Sequence, residues 1–360
     1  MLSGRKIRVL IVDDSAIVRK ILTEALADEP DLEVVGSAPD PYVARDKILA
    51  LQPDVLTLDI EMPRMDGLTF LKKLMVFHPM PTVVISSLAQ PSCRAAIQAL
   101  ELGAVEVLAK PGGPYSVGEL RTTLAAKIRA AGAARVRPVE PPGAGKSSPA
   151  STSAAPALGF NAASDPEAVI AIGASTGGTE AIATILTSLP ASSPAIVIAQ
   201  HIPPEFSRAF ANRLNDLCAL EVKEARDGDA LRSGRALVAP GDFHMLLRGS
   251  GGRYLVNIKS GPRVCYQRPS VDVLFLSVAE AAGSHAVGVL LTGMGNDGSQ
   301  GLLKMRQAGA HTIAQDEATC VVFGMPREAI QIGAAETVLP LPAIAGAMLA
   351  AGTRAIRARM

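Results

Sequence analysis

Three polar residues in the second half of the chain, Ser175, His201 and Asp297, each follow a run of apolar residues. A serine hydroxyl becomes a nucleophile only when a base takes its proton, and an imidazole base needs a carboxylate to orient it and to stabilise its cation. These residue types therefore indicate acyl transfer through a covalent intermediate. The alternative role for Ser175, the N-cap of the helix that follows, is far commoner for serines in general.

Ser175 lies between a strand pattern and a helix pattern. Residues 169–172 are four consecutive apolar residues, which is typical of a strand buried on both faces of a parallel sheet. After Ser175 the apolar residues recur at helical spacing, at Ile182, Ile185, Leu186 and Leu189. We therefore expect a strand, a tight turn and a helix. Glycines at 173, 177 and 178 would leave backbone N–H groups free to approach a substrate oxygen.

His201 and Asp297 are predicted to lie at the same sheet edge as Ser175. Residues 195–199 and 286–291 are buried strand patterns that end just before them, and the carboxyl ends of parallel strands meet at one edge. His244, beside Asp242, is the rival base, and we favour His201 because it ends a strand. The order serine, histidine, aspartate and the sequence around Ser175 both differ from those of α/β-hydrolases.

The first half of the chain also has polar residues at its predicted strand ends. They are two adjacent acids, a third acid, a hydroxyl and an amine: Asp13, Asp14, Asp59, Ser86 and Lys110. Three carboxylates suit octahedral Mg²⁺, and the hydroxyl and ammonium groups suit a phosphoryl group beside it. Helix caps and solvated loop charges are the alternative, but five such residues at matching strand ends favour one site.

Strands alternate with helices in residues 1–130, which predicts a doubly wound, flavodoxin-like parallel α/β sheet. On the polar residues just described, residues 8–125 resemble a response-regulator receiver domain. The resemblance implies that Asp59 is the phosphoacceptor and that Mg²⁺ is held by Asp13, Asp14 and Asp59. It further implies that Ser86 and Lys110 form the switch. The Lys110–Pro111 bond matches the usual cis peptide of the family, whereas Val107 stands where many members have an aromatic residue.

Residues 131–164 are rich in Pro, Ala, Gly and Ser and predict a flexible linker. A second doubly wound α/β domain is expected over residues 165–355. Within it, the short segments 236–245 and 254–258 predict a β-hairpin insertion, and residues 268–272 open a helix that runs to Ala282.

The composition excludes several classes of protein. The net charge of +1 and the 3% aromatic content argue against a nucleic-acid binder. The 4 cysteines are far apart and form no CxxC pair, which favours a reduced, cytoplasmic protein. The first residues do not form a signal peptide, and no apolar run reaches membrane-spanning length, so we expect no membrane insertion.

Residues 167–350 resemble the catalytic domain of chemotaxis protein-glutamate methylesterases, through the segments IGASTGG, QHIP, APGDFHM, RPSVDVLF and LTGMGNDGSQG. The resemblance implies a Ser175–His201–Asp297 triad that needs no cofactor for ester hydrolysis. It implies demethylation of glutamyl methyl esters on the cytoplasmic helices of chemoreceptors, related glutamine deamidation, and phosphorylation of Asp59 by a chemotaxis-type histidine kinase. The backbone N–H groups of Thr176 and Met294 are candidates for the oxyanion site, and the receiver is expected to inhibit until it is phosphorylated.

Two other classes of function explain these residues less well. A dinucleotide-binding domain would also place a glycine-rich turn after a strand, but the chain lacks GxGxxG, and His201 stands where a ribose-binding acid would be. A non-enzymatic, phospho-dependent binding regulator would leave three triad-type residues at one sheet edge unexplained.

Overall fold

A computed structural model describes residues 5–110, 117–136, 168–250 and 253–357. The first unit alternates strands and helices: β1 (Ile7–Val12), α1 (Ala16–Leu26), β2 (Leu32–Ala38), α2 (Pro41–Leu51), β3 (Val55–Asp59), α3 (Gly67–Phe77), β4 (Thr82–Ser86), α4 (Gln90–Glu101), β5 (Glu106–Ala109) and α5 (Val117–Gly132). Its sheet is parallel, in the order β2-β1-β3-β4-β5. This is the predicted doubly wound fold.

The second unit is a larger parallel α/β sheet with a hairpin. Its elements are β6 (Val169–Ala174), α6 (Gly178–Thr187), β7 (Ala195–Gln200), α7 (Phe206–Leu217), β8 (Glu221–Glu224), β9 (Arg235–Val238), β10 (His244–Ser250), β11 (Arg253–Lys259), α8 (Val271–Ala282), β12 (Ala286–Leu290), α9 (Ser299–Gln307), β13 (His311–Gln315), α10 (Met325–Gln331), β14 (Thr337–Leu339) and α11 (Leu341–Arg357). The sheet order is β14-β13-β12-β6-β7-β9-β8. No described helix is both long and apolar enough to cross a lipid bilayer.

The predicted hairpin exists, but its first strand was placed too early in the sequence. Residues 236–238 belong to β9, which pairs in parallel with β7 inside the main sheet. The hairpin joins His244–Ser250 to Arg253–Lys259 in antiparallel register. The prediction was wrong here because residues 236–238 are buried, and a buried run of three residues has no alternation that would separate a sheet strand from a hairpin strand.

The register of the second sheet brings the predicted triad to one edge. Ala174 pairs with Gln200 across β6 and β7, and Gly173 pairs with Leu290 across β6 and β12. Ser175 and His201 therefore leave the sheet at the same level, and the loop that carries Asp297 begins beside them. The carboxyl edge of a parallel sheet is the usual place for a site in this class of fold.

The two units are in contact within the described residues. Helix α4 of the first unit packs against α7 of the second, and Arg213 on α7 forms ion pairs with Glu101 and Glu180. Arg135, which follows α5, forms an ion pair with Glu317 at 2.9 Å. The domain boundary at residue 131 stays a prediction. Most of the predicted linker lies outside the described residues, and the Lys110–Pro111 bond also lies outside them.

Helix α8 packs directly over Gly173, and this contact generates a first prediction. A Cβ atom at Gly173 would lie 2.1 Å from Val271 Cγ1 and 3.1 Å from Phe275 Cζ. We therefore expect Gly173→Ala to lower the free energy of unfolding of the second unit by about 1–3 kcal/mol, because overpacking forces neighbours apart. The measurement is chemical denaturation.

Gly346→Ala is the matched control, since a Cβ atom at Gly346 would meet no other atom within 4 Å. This second exchange, inside α11, should be neutral or stabilising by up to about 1 kcal/mol. Equal stability of the two variants would contradict the packing described here.

Candidate active site

Ser175 lies at the bend directly after β6 and is buried, with 4% of its surface exposed. The N-cap of α6 is Gly177, at φ 76°, and no side chain caps this helix. The common alternative for Ser175, an N-cap serine, is therefore wrong. The backbone of Ser175 is held by Thr292 O, which accepts from its N–H at 3.0 Å, and by Gln200 Nε2, which donates to its carbonyl at 2.8 Å.

His201 and Asp297 form a buried pair, with His201 Nε2 2.8 Å from Asp297 Oδ2. The backbone N–H of His201 donates to Ala174 O at 3.1 Å, which ties the histidine to the end of β6. Nδ1 of His201 is buried and has no hydrogen-bond partner among the described residues. Because Nε2 faces the carboxylate and carries the proton, Nδ1 is the nitrogen left with a free lone pair.

The carboxylate of Asp297 receives three further hydrogen bonds from the start of α8. Ser270 Oγ donates to Oδ1 at 2.8 Å, the N–H of Asp272 donates to Oδ1 at 3.0 Å, and the N–H of Val271 donates to Oδ2 at 2.8 Å. Burial raises the pKa of Asp297, but the hydrogen bond and charge of His201 and these N–H groups outweigh it and hold the pKa below its ordinary value. Asp297 is thus an anion that can orient His201.

The rival base, His244, is occupied elsewhere. Its Nε2 lies 2.9 Å from Pro262 O, and its Nδ1 lies 3.2 Å from the backbone N of Ser270. Among the described residues, neither ring nitrogen of His244 forms an ion pair or hydrogen bond with a carboxylate. The arrangement therefore supports His201 as the base.

The two oxyanion candidates lie on the loops that flank Ser175. Thr176 is buried, whereas Met294 is 41% exposed. The loop that carries Met294 runs close to the serine, since a Cβ atom at Gly293 would lie 2.7 Å from Ser175 Cβ. Among the described hydrogen bonds, neither the Thr176 nor the Met294 backbone N–H is used as a donor. Within the described part of the chain, both N–H groups are thus without a hydrogen-bond acceptor, and the oxyanion role stays a prediction.

Thr176 also contacts the first unit, a feature that the sequence reasoning missed. Its hydroxyl donates to Glu106 Oε2 at 2.9 Å, and Lys127 Nζ lies 2.7 Å from the same oxygen. Glu106 opens β5 and is buried. An acid within the apolar segment VEVLA was the only signal in the sequence, and it did not identify a partner in the other unit.

The predicted acidic site in the first unit is assembled at the edge of its sheet. Asp13, Asp14 and Asp59 have ligand atoms within 4.8 Å of one another. Asp13 and Asp59 are buried and Asp14 is exposed. Lys110 Nζ lies 2.7 Å from Asp59 Oδ2 and 3.4 Å from Asp13 Oδ2. Burial, assisted by the charge of Asp13, raises the pKa of Asp59 to about 6 despite the ammonium of Lys110.

These carboxylates have the properties of a Mg²⁺ site. Although Lys110 is near, neither Asp13 Oδ2 nor Asp59 Oδ2 accepts a hydrogen bond of ordinary geometry from the described residues, and a hard cation would satisfy both oxygens. Ser86 is buried beside the site, at the end of β4, with its hydroxyl donating to Ser92 O at 3.3 Å. Val107, the position where many receiver domains have an aromatic residue, is buried in β5.

Comparison with known proteins assigns both units to families. Residues 9–122 match the response regulator receiver domain family, and residues 170–348 match the CheB methylesterase family. A protein-glutamate methylesterase/protein-glutamine glutaminase 2 of Syntrophus aciditrophicus (strain SB) is 56% identical over 340 residues, which cover 94% of this chain and 97% of the relative. A protein of the same name from Rhodospirillum rubrum is 55% identical, covering 97% of this chain and 99% of the relative.

A solved structure matches the second unit. The catalytic domain of Thermotoga maritima CheB methylesterase is 39% identical, with a TM-score of 0.50, and covers 51% of this chain and 97% of that domain. The family resemblance read from the motifs is thereby confirmed. The chain belongs to the CheB methylesterases, with a response-regulator receiver domain in front of the methylesterase domain.

Proposed function

We propose that the protein hydrolyses glutamyl methyl esters on the cytoplasmic helices of chemoreceptors, and deamidates specific receptor glutamines, under the control of receiver phosphorylation. The observation that carries the proposal is the buried His201–Asp297 pair, which leaves Nδ1 of His201 without a partner among the described residues, at the sheet edge where Ser175 follows β6. The names of the relatives support the same activities. A cytoplasmic location follows from this substrate and from a histidine kinase as phosphodonor.

The reaction begins when Ser175 Oγ attacks the ester carbonyl carbon and His201 Nδ1 takes the hydroxyl proton. The carbonyl oxygen gains negative charge, which the N–H groups of Thr176 and Met294 stabilise. As the intermediate collapses, the ester bond breaks and His201 gives its proton to the departing methoxide, which leaves as methanol. Asp297 stabilises the imidazolium throughout. A glutamine side chain would react in the same way and release ammonia.

Hydrolysis of the acyl-enzyme repeats these steps with water. His201 removes a proton from water, the hydroxide adds to the acyl carbon, and Ser175 leaves with the proton that His201 returns. The product is the free glutamate side chain. These reaction steps require no metal in the methylesterase domain, since the base and the oxyanion donors are all groups of the protein itself.

In the receiver domain, we assign Asp13, Asp14 and Asp59 as the residues that hold Mg²⁺. When bound, the ion neutralises phosphoryl oxygens and so lets an anionic donor approach an anionic acid. A carboxylate oxygen of Asp59 attacks the phosphorus of the kinase's phosphohistidine, the phosphorus–nitrogen bond breaks, the histidine leaves, and Asp59 becomes an acyl phosphate. Lys110, already 2.7 Å from Asp59, and the Ser86 hydroxyl are placed to pair with the new phosphoryl oxygens.

The contact between Glu106 and Thr176 supports inhibition by the unphosphorylated receiver. Thr176 follows the nucleophile and supplies a proposed oxyanion donor, and its hydroxyl is held by the receiver at 2.9 Å. Glu106 begins β5, and Lys110 directly follows the end of the same strand. A phosphoryl group that pulls on Lys110 and Ser86 therefore acts on the strand that touches the catalytic loop.

We expect Ser175→Ala to abolish methanol release from methylated receptors and His201→Ala to lower it by several orders of magnitude, since triad residues act as a unit. Release of labelled methanol measures both. His244→Ala is the comparison variant, and it should lose far less activity than His201→Ala. Near-normal activity in His201→Ala would refute the assignment and return the role of base to His244.

Acetyl phosphate with Mg²⁺ should label the wild-type protein and Asp66→Asn, but not Asp59→Asn. Asp66 is a suitable control because it caps α3 and lies outside the acidic cluster. Mg²⁺ should also raise the unfolding temperature of the wild type more than that of Asp13→Asn, which lacks one charge that holds the ion. Labelling that survives in Asp59→Asn would remove this residue as the phosphoacceptor.

Removal of the Glu106 carboxylate should activate the unphosphorylated enzyme. We expect Glu106→Ala to raise basal methanol release about fivefold or more, within the usual range of coupling between sites. A chain that begins near residue 165 should be at least as active and indifferent to phosphodonor. Lys127→Ala is the matched control, because it removes the other partner of Glu106 and leaves the Thr176 contact intact. Equal basal rates of methanol release in the wild type, the two variants and the shortened chain would mean that the receiver does not inhibit the esterase.

A further inference from the structure

His244 is buried in the methylesterase domain, yet the proposed reaction does not use it. Its Nε2 lies 2.9 Å from the carbonyl oxygen of Pro262. Because a carbonyl can only accept a hydrogen bond, Nε2 must carry the proton. Nδ1 then accepts from the backbone N–H of Ser270, 3.2 Å away. These two partners hold the ring of His244 in one neutral tautomer and one orientation.

Ser270, which His244 holds by its backbone, is also fixed by its side chain. Ser270 is fully buried at the N-cap of α8, and its hydroxyl accepts from Val273 N–H at 3.3 Å. With that N–H on one lone pair, the hydroxyl proton is directed to Asp297 Oδ1, 2.8 Å away. Oδ1 faces Ser270, while Oδ2 faces His201. Together with the N–H groups of Val271 and Asp272, the Ser270 hydroxyl therefore holds the plane of the carboxylate that contacts His201.

We propose that His244 and Ser270 are positioning residues of the esterase, which act through Asp297 on the base His201. The hydrogen bonds form one continuous chain from the carbonyl of Pro262 through His244, Ser270 and Asp297 to His201. Neither His244 nor Ser270 touches the substrate in this account. The inference rests on the proposed ester hydrolysis and adds to it the residues that orient the carboxylate.

The charged groups around Asp297 determine how the esterase rate should depend on pH if these hydrogen bonds orient His201. Asp272 and Cys265 place ligand atoms within 4.8 Å of the Asp297 carboxylate, and burial with the charge of Asp297 raises the pKa of Asp272 to about 6. Asp272 and Cys265 are both still present in a Ser270 variant. Loss of the Ser270 hydroxyl leaves Asp297 with one donor fewer, so its negative charge acts more strongly on the His201 imidazolium. The acidic limb of the rate profile should then move to higher pH.

The experiment compares Ser270→Ala with Ser270→Thr in the full-length protein, by methanol release over a range of pH. Ser270→Ala should lower kcat by about 10- to 100-fold, the usual effect of removing a hydrogen bond to a charged group, with KM little changed and the acidic limb of kcat/KM shifted upwards. Ser270→Thr keeps both the cap and the donor, and it should recover most of the lost kcat. Thermal unfolding of both variants reports the loss of the helix cap separately.

A second pair tests the role of His244. His244→Asn retains an acceptor near the position of Nδ1, whereas His244→Leu has none, so His244→Asn should have the higher kcat. The proposal is overturned if Ser270→Ala keeps the wild-type kcat, if its loss is confined to KM, or if its pH profile does not move. Equal kcat in the two His244 variants would show that His244 is not a positioning residue. If wild-type release does not depend on Ser175, the proposed function itself has failed, which is a separate outcome.

Discussion

The buried carboxylate of Asp297 is the interaction on which the methylesterase domain depends. An ionised acid that is only 2% exposed would cost several kcal/mol if it lacked partners. The chain surrounds it with donors from His201, from Ser270 and from two backbone N–H groups at the start of α8. Because those N–H groups must reach the carboxylate, α8 has to begin beside the loop after β12. Gly173 permits this approach, since any side chain there would meet Val271.

Among the contacts between the receiver and the methylesterase, strand β5 is the one that reaches from the acidic cluster of the receiver to Thr176. At its start, Glu106 accepts a hydrogen bond from Thr176, the neighbour of the proposed nucleophile, and just after its end Lys110 pairs with Asp59. Three residues separate Glu106 and Lys110 in the sequence, so a displacement at the proposed phosphorylation site would have a short physical route to the loop that carries Ser175. The proposed coupling therefore rests on a specific side-chain contact at each end of β5, and not only on the proximity of the two domains.

Much of this arrangement could be predicted from the sequence because strands that end in polar residues give strong local signals. Ser175, His201 and the acids of the receiver all follow buried apolar runs. Strand β8 was missed because Glu221–Glu224 has three charged residues and a single buried valine, and it lies at the edge of the sheet. The bond between Ser270 and Asp297 joins residues 27 positions apart, and that between Thr176 and Glu106 spans 70. No local pattern encodes such contacts, since they arise only when helices and domains pack.

The proposed reaction depends on the orientation of the His201 ring, because that orientation decides which nitrogen would take the serine proton. The most direct measurement is the ¹⁵N NMR spectrum of the His201 ring in the full-length protein at neutral pH, assigned by comparison with His201→Ala. We predict that Nε2 carries the proton and that Nδ1 is unprotonated. The substitution Asp297→Asn should change this pattern of ring protonation. A ring protonated at Nδ1 with Nε2 unprotonated, or one that Asp297→Asn leaves unchanged, would contradict it.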